Sequence, residues 1–230
     1  MITKRLIKNT KYRTGHIMGR HEILFQLLPF AKENKWKKVS PDKDICIEGF
    51  PRSANSFFSK AFRMYNPTAK AAHHMHAPLQ VTKAIDYGIP CVVLIRNPID
   101  AIASVLVVDR TLSTRFAIQS YINFYERVWP VRDSIVLSDF ENTTKYSHQV
   151  VERVNQRYGT SFHMEPITPD VRDTIFNQLK ETQKVLNQPE HLVAIPTAAK
   201  AQIKQDVLQE LADHPLLPTA HLLYQRFLEA

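Results

Sequence analysis

Asp44-Ile-Cys-Ile-Glu-Gly-Phe-Pro-Arg-Ser-Ala-Asn-Ser56 is the stretch on which the fold turns. An apolar run stops at Gly49-Phe-Pro51, a short turn follows, and residues 55–64 carry apolar side chains at helical spacing. The pattern is a strand, a turn and a helix start. Outward from it, Pro90-Cys-Val-Val-Leu-Ile95 is a near-continuous apolar run, the signature of a strand covered on both faces. Asn97-Pro98 then opens a second helix, with Asn suited to the N-cap and Pro to the first helical position. Ser134-Ile-Val-Leu-Ser138 reads as another buried strand, and Lys70-Ala-Ala-His-His-Met75 as a short one. Helices are predicted at 21–30, at 78–87 with Gly88 closing it, and over most of 114–128, 142–158, 170–187, 198–212 and 219–228. Strands alternating with helices through short turns predict an α/β fold with a parallel central sheet flanked by helices. Ligands of such sheets bind at the carboxyl ends of the strands, so chemistry is sought just after each strand.

The 230 residues suit one sizeable domain, and 44% hydrophobic with 23% charged residues excludes wholesale disorder. No apolar run approaches the ~20 residues that span a bilayer. The basic start MITKRLIKNT lacks an apolar stretch behind it, so no secretory signal is expected. Cys46 and Cys91 sit inside apolar runs and read as buried free thiols of a reducing, cytoplasmic compartment. Charge is unevenly spread. Residues 1–43 hold eleven Lys and Arg against three acids, while the remainder is balanced. This basic N-terminal segment is either a solvated arm or a patch for an anionic acceptor or a peripheral membrane contact. Nucleic acid is not expected, because the basic residues are not interleaved with aromatic platforms and no reader motif occurs.

Three segments carry chemistry. Gly49 to Ser56 keeps the first Gly and the last Ser of the phosphate-loop pattern G-x-x-x-x-G-K-[ST], with Ala54 and Asn55 in place of the second Gly and the Lys. It predicts a P-loop-NTPase-like phosphate-binding loop, whose helix-start amides cradle a phosphate and whose charge comes from Arg52. Hydrolysis of a nucleoside triphosphate is disfavoured without the lysine. The second segment, Ile95-Arg-Asn-Pro-Ile-Asp-Ala-Ile-Ala-Ser104, sets Arg96 at a strand end and Ser104 two turns into a helix. Asp100 is expected to accept from first-turn amides. Third is Ala71-Ala-His-His-Met-His-Ala-Pro78; if extended, His74 and His76 share one face and His73 takes the other. No Cys, His or acid set at a familiar metal spacing accompanies these histidines, so no metal is expected. A histidine between two anion-binding strand ends suits a general base.

Together these segments resemble the sulfotransferases that use 3′-phosphoadenosine 5′-phosphosulfate (PAPS). The family loop P-K/R-S-G-T-T/S-W/F is matched by Pro51-Arg-Ser-Ala-Asn-Ser-Phe57, and its R-N-P-x-D-x-x-x-S by Arg96, Asn97, Pro98, Asp100 and Ser104. Its catalytic His shortly before a Pro is matched by His76-Ala-Pro78, and Ser138-Asp-Phe-Glu-Asn142 is a degenerate form of its later Y-E-D-L. The resemblance covers about residues 44–160. Ala54 departs from the usual Gly, Arg52 stands where the cytosolic small-molecule enzymes use Lys, and the late R-K-G segment has no clear match; Lys200 or Lys204 is a candidate substitute.

The resemblance implies a single sulfotransferase domain over 1–230 that moves a sulfuryl group from PAPS to a hydroxyl acceptor. Carbohydrates, lipids and small molecules all qualify, anionic ones included. The product nucleotide is 3′,5′-adenosine bisphosphate. By the same likeness His76 is the base and Arg52 stabilises the phosphosulfate. Ser53, Ala54, Asn55, Ser56 and Phe57 form the 5′ site, and Arg96 and Ser104 bind the 3′-phosphate. Two rivals stay open: a kinase-like phosphotransferase, for which Asp139 is the obvious Mg²⁺ ligand, and a non-catalytic anion-binding module.

Overall fold

The computed structural model describes residues 36–185 and 198–230. The helix predicted at 21–30, most of the basic segment and the Lys200 side chain lie outside the described residues. The chain runs β1 (Ile45–Gly49), α1 (Asn55–Tyr65), β2 (Ala71–His73), α2 (Pro78–Asp86), β3 (Cys91–Ile95), α3 (Pro98–Val108) and α4 (Thr114–Val128). A 3₁₀ turn (Trp129–Ser134) leads to β4 (Val136–Asp139), then α5 (Phe140–Lys145), α6 (Ser147–Tyr158), α7 (Pro169–Val185), α8 (Ala198–Ala212) and α9 (Leu217–Glu229). The four strands form one all-parallel sheet in the order β2-β1-β3-β4.

The alternation of side chains along each strand divides the core in two. Cys46, Cys91, Val93 and Ile95 face one side, where α2, α3, α4, α8 and α9 cover them. Ile45, Ile47, Val92 and Leu94 face the other, against α1, α6 and α7. Phe58, Phe62 and Tyr121 are fully buried, and such burial stabilises by about 1.5–3 kcal/mol per large apolar side chain. Both cysteines are buried and free, side by side in the β1–β3 register. At the end of β1 the chain must be glycine. A Cβ on Gly49 would lie 2.4 Å from the Leu94 carbonyl oxygen.

Three boundaries differ from the sequence reading. The helix expected over 142–158 is two helices broken at Tyr146. The first starts early because Asp139 caps it, its Oδ1 accepting the Asn142 amide at 2.8 Å. Strand β4 begins at Val136 because residues 129–134 coil into the 3₁₀ turn. Strand β2 ends at His73, because His74 and His76 adopt left-handed φ of 60° and 50°. Among the described residues no helix is long and apolar enough to cross a membrane.

Candidate functional site

Ala54, the N-cap of α1, has φ 68° and gives the helix no side-chain cap, so the first-turn amides have no intrahelical or capping partner. Arg52, two residues earlier, also has a left-handed φ of 71°. With His74 and His76 these are the four positive-φ residues other than glycine among the described ones, and all four line one cavity of about 580 Å³. Left-handed conformations cost an L-residue roughly 1–2 kcal/mol each. Such strain clusters where the surrounding structure holds a site in shape. The cavity lies at the carboxyl ends of β1 and β3. A second cavity of about 560 Å³, beside the start of β4, holds none of the predicted site residues.

Most predicted site residues reach the first cavity. Arg52 donates from Nε to the Ser104 hydroxyl at 2.9 Å, and its carbonyl accepts from Arg96 Nη1 at 3.0 Å. Arg96 lies 4.1 Å over the Phe140 ring, and Tyr121 holds the Arg96 carbonyl at 2.8 Å. Burial and the neighbouring Arg96 both disfavour the charge on Arg52. Two crowded guanidiniums of this kind are relieved by an anion between them. Phe57 packs on Phe176 of α7 with ring centroids 5.9 Å apart.

Three predicted residues are engaged within the protein, and one of them, Asp100, departs from its expected role. Ser53 is fully buried and outside the cavity lining, with its amide donating to Phe50 O at 3.3 Å, so its side chain faces the interior. Asn55 lines the cavity, but its Nδ2 braces the loop on Phe50 O at 3.0 Å. Asp100 does not cap α3. Asn97 does, accepting Ile99 N at 3.0 Å, while the Asp100 carboxylate holds Lys204 Nζ at 2.7 Å. Both partners, Asp100 of α3 and Lys204 of α8, line the cavity.

The histidines are tied to β1. His76 Nδ1–H donates to the Gly49 carbonyl at 2.8 Å. Because a carbonyl can only accept, this bond fixes the tautomer and leaves the Nε2 lone pair free for the cavity. Burial pulls the His76 pKa down to about 4, with Lys37 and Arg52 adding to the effect. The ring is therefore neutral at pH 7. His74 Nε2 meets Ser56 Oγ at 2.8 Å. His73 is outside the cavity lining, although the left-handed His74 and His76 break the extended alternation assumed for this segment, and its Nδ1 lies 2.6 Å from His74 Nδ1.

Sequence reasoning missed several residues. Glu48 is fully buried, accepts the amides of Met75 and His76 at 2.7 and 2.9 Å, and so holds the turn that carries His76. Burial pushes its carboxyl up to about 8, against the pull of those two amides. The signal was present: one carboxylate inside an apolar strand. Lys145 of α5 and Arg172 of α7 also line the cavity, and nothing local marks them. Among the described residues the cavity thus gathers five cationic side chains, Arg52, Arg96, Lys145, Arg172 and Lys204, around one acid, Asp100. Among the described residues no group of three or more His, Cys, Asp or Glu could hold a metal.

No protein-family model matches the chain, and no curated protein is significantly similar to it in sequence.

Proposed function

We propose that the chain is a PAPS-dependent sulfotransferase, with residues 49–57 serving as a P-loop-like cradle that lacks the lysine. One observation carries the reading: a neutral histidine with an open Nε2 shares a strained, cation-lined cavity with Arg52, Arg96 and Ser104. The donor supplies an activated S–O bond to phosphate. The uncapped α1 amides and Arg52 bind the phosphosulfate, and Phe57 with Phe176 offers the base an apolar wall. Arg96, Ser104 and Lys204 take the 3′-phosphate.

His76 Nε2 accepts the proton of the acceptor hydroxyl as that oxygen bonds to sulfur and the sulfur–phosphate oxygen bond breaks. The electron pair stays on the phosphate oxygen of the departing bisphosphate, where Arg52 stabilises the growing charge. Glu48 keeps His76 in place through its backbone amide. The phosphotransferase rival is weakened by Asp139. Both its oxygens bond Asn142, at 2.8 and 2.7 Å, and it is absent from the cavity lining.

The direct test is transfer of labelled sulfate from PAPS into hydroxyl acceptors. Alongside it, melting curves with 3′,5′-adenosine bisphosphate, ATP–Mg²⁺ and AMP separate the three classes by mass action. Selective stabilisation by the bisphosphate is expected. Selective stabilisation by ATP–Mg²⁺ would replace the reading with a phosphotransferase, and none at all would leave the anion-binding module.

A further inference from the structure

His73, His74 and Ser56 form a continuous chain of contacts from the core to the cavity: His73 Nδ1 to His74 Nδ1 at 2.6 Å, then His74 Nε2 to Ser56 Oγ at 2.8 Å. Burial keeps both rings neutral, lowering His73 to about 3 and His74 well below its ordinary value. Each ring then carries one N–H, and only two proton arrangements fit. In one, His73 Nδ1–H donates to His74, and His74 Nε2–H donates to Ser56, whose own hydrogen is left for the cavity. In the other, every bond runs backwards and Ser56 spends its hydrogen on His74.

The far end of the chain decides between them. His73 Nε2 is buried and has no hydrogen-bond partner among the described residues. The backward arrangement would put an orphaned N–H there, whereas the forward one leaves a bare lone pair. Buried orphan N–H groups are the rarer and costlier case. The charges of Lys37 and Arg63 act on this ring as well, and they favour a bare lone pair over an N–H dipole. Trp36, which packs edge-on against His73 at 5.0 Å, already has both cations over its ring, at 5.4 and 5.6 Å.

We propose that His73 and His74 are a two-ring relay that fixes the Ser56 hydroxyl as a donor into the cavity, so that this end of the loop selects an oxyanion with a fully deprotonated accepting oxygen. His73 is a positioning residue that acts through Ser56 and touches no ligand. The inference rests on the sulfotransferase reading for the identity of the natural anion, though not for the presence of one.

A double-mutant cycle on ligand affinity tests it, with 3′,5′-adenosine bisphosphate as the calorimetric probe and inorganic sulfate, an acceptor-only anion, as the melting-curve probe. Ser56→Ala should weaken the bisphosphate about tenfold, as loss of one bond to a charged group does. His73→Leu frees His74 to reverse, and a loss of about threefold is expected in the wild-type background and none in Ser56→Ala. His73→Asn, which puts an amide donor where Nδ1–H stood, should restore affinity to within about twofold; His73→Gln, whose donor lies at the Nε2 position, should not. Equal losses in both backgrounds, no loss on His73→Leu, or rescue by Gln as good as by Asn would each overturn the relay. Stabilisation by sulfate that depends on Ser56 and His73, without bisphosphate binding, upholds the relay and sinks the nucleotide reading. A wild-type protein that responds to neither probe overturns the relay too.

Discussion

The loops after β1 and β3 leave the same edge of one sheet, each entering a helix, yet they are built in opposite ways. After β3, Asn97 caps α3 and Pro98 fills its first position, so local chemistry spends the helix-start donors internally. After β1, α1 starts on a left-handed Ala54 without a side-chain cap, and its donors stay open. The loop after β3 is closed by its own cap, whereas the loop after β1 is braced by Asn55 on Phe50 O, by Arg96 on the Arg52 carbonyl and by Ser104 on the Arg52 side chain. The uncapped helix start next to a capped one is the difference on which the proposed anion binding rests.

The sharpest way to break this comparison is at the β1 side. His76→Ala should lower turnover by about 10²–10⁴ with bisphosphate affinity nearly unchanged. If His76 is the base, it must be unprotonated, and with burial drawing its pKa down to about 4, wild-type kcat/KM should be flat around pH 7 and fall as pH drops through about 4. A rising limb centred near 6.5 would mean that the ring is not held as described. Next comes a contrast of the two arginines. Arg52→Ala should cut turnover by roughly 10²–10³, partly recovered by Lys. Arg96→Ala should instead weaken the bisphosphate by roughly tenfold to a hundredfold while AMP affinity stays nearly level. If both substitutions act on affinity alone, the division of labour between the loops collapses.

Stability gives a smaller test, with opposite signs for the two helix starts. In urea titrations Asn97→Ala should lose about 1 kcal/mol as its cap disappears. Ala54→Gly should gain up to about 1 kcal/mol by removing the left-handed penalty. Like signs would equate the two turns. The smallest effect is expected from Asp100→Asn. Its pair with Lys204 is partly exposed, with side-chain exposures of 44% and 38%, so stability should move by no more than about 0.5 kcal/mol. Bisphosphate affinity should rise slightly as Lys204 is released; a fall would mean that the pair aims the lysine.

The fold was legible because each buried strand announces itself locally. Ile45–Gly49, but for Glu48, and Cys91–Ile95 are apolar on both faces, and they end at a Gly or one residue before Asn-Pro. The candidate site was most legible where its residues adjoin strand ends, as Arg52, Arg96 and His76 do; Ser104 followed from the segment it shares with Arg96, and Lys204 entered only as a candidate substitute for a missing motif. Its remaining walls come from afar. Lys204 meets Asp100 across 104 positions, and Arg172 arrives on a helix with no motif of its own. Periodicity says nothing about such meetings. Nor does histidine advertise a left-handed backbone, so the sequence could suggest a shared face for His74 and His76 but not the sharp turns that create it. Asp100 shows the same limit. An acid in a first helical turn suggests a cap, yet a neighbour from α8 claimed it.

The strand order has a consequence in time. Among the described strands every ladder joins segments separated by a helix, and none is a hairpin. Arg52 and Ser104 are 52 positions apart and Asp100 and Lys204 are 104, so the contacts that join the cavity's walls are made by long loop closures. Chains dominated by such non-local pairings fold slowly, since closure entropy is lost before any contact repays it. In refolding experiments, recovery of anion binding should coincide with the slowest phase that restores the sheet, and a nascent chain should stay inert until α8 has emerged to seat Lys204.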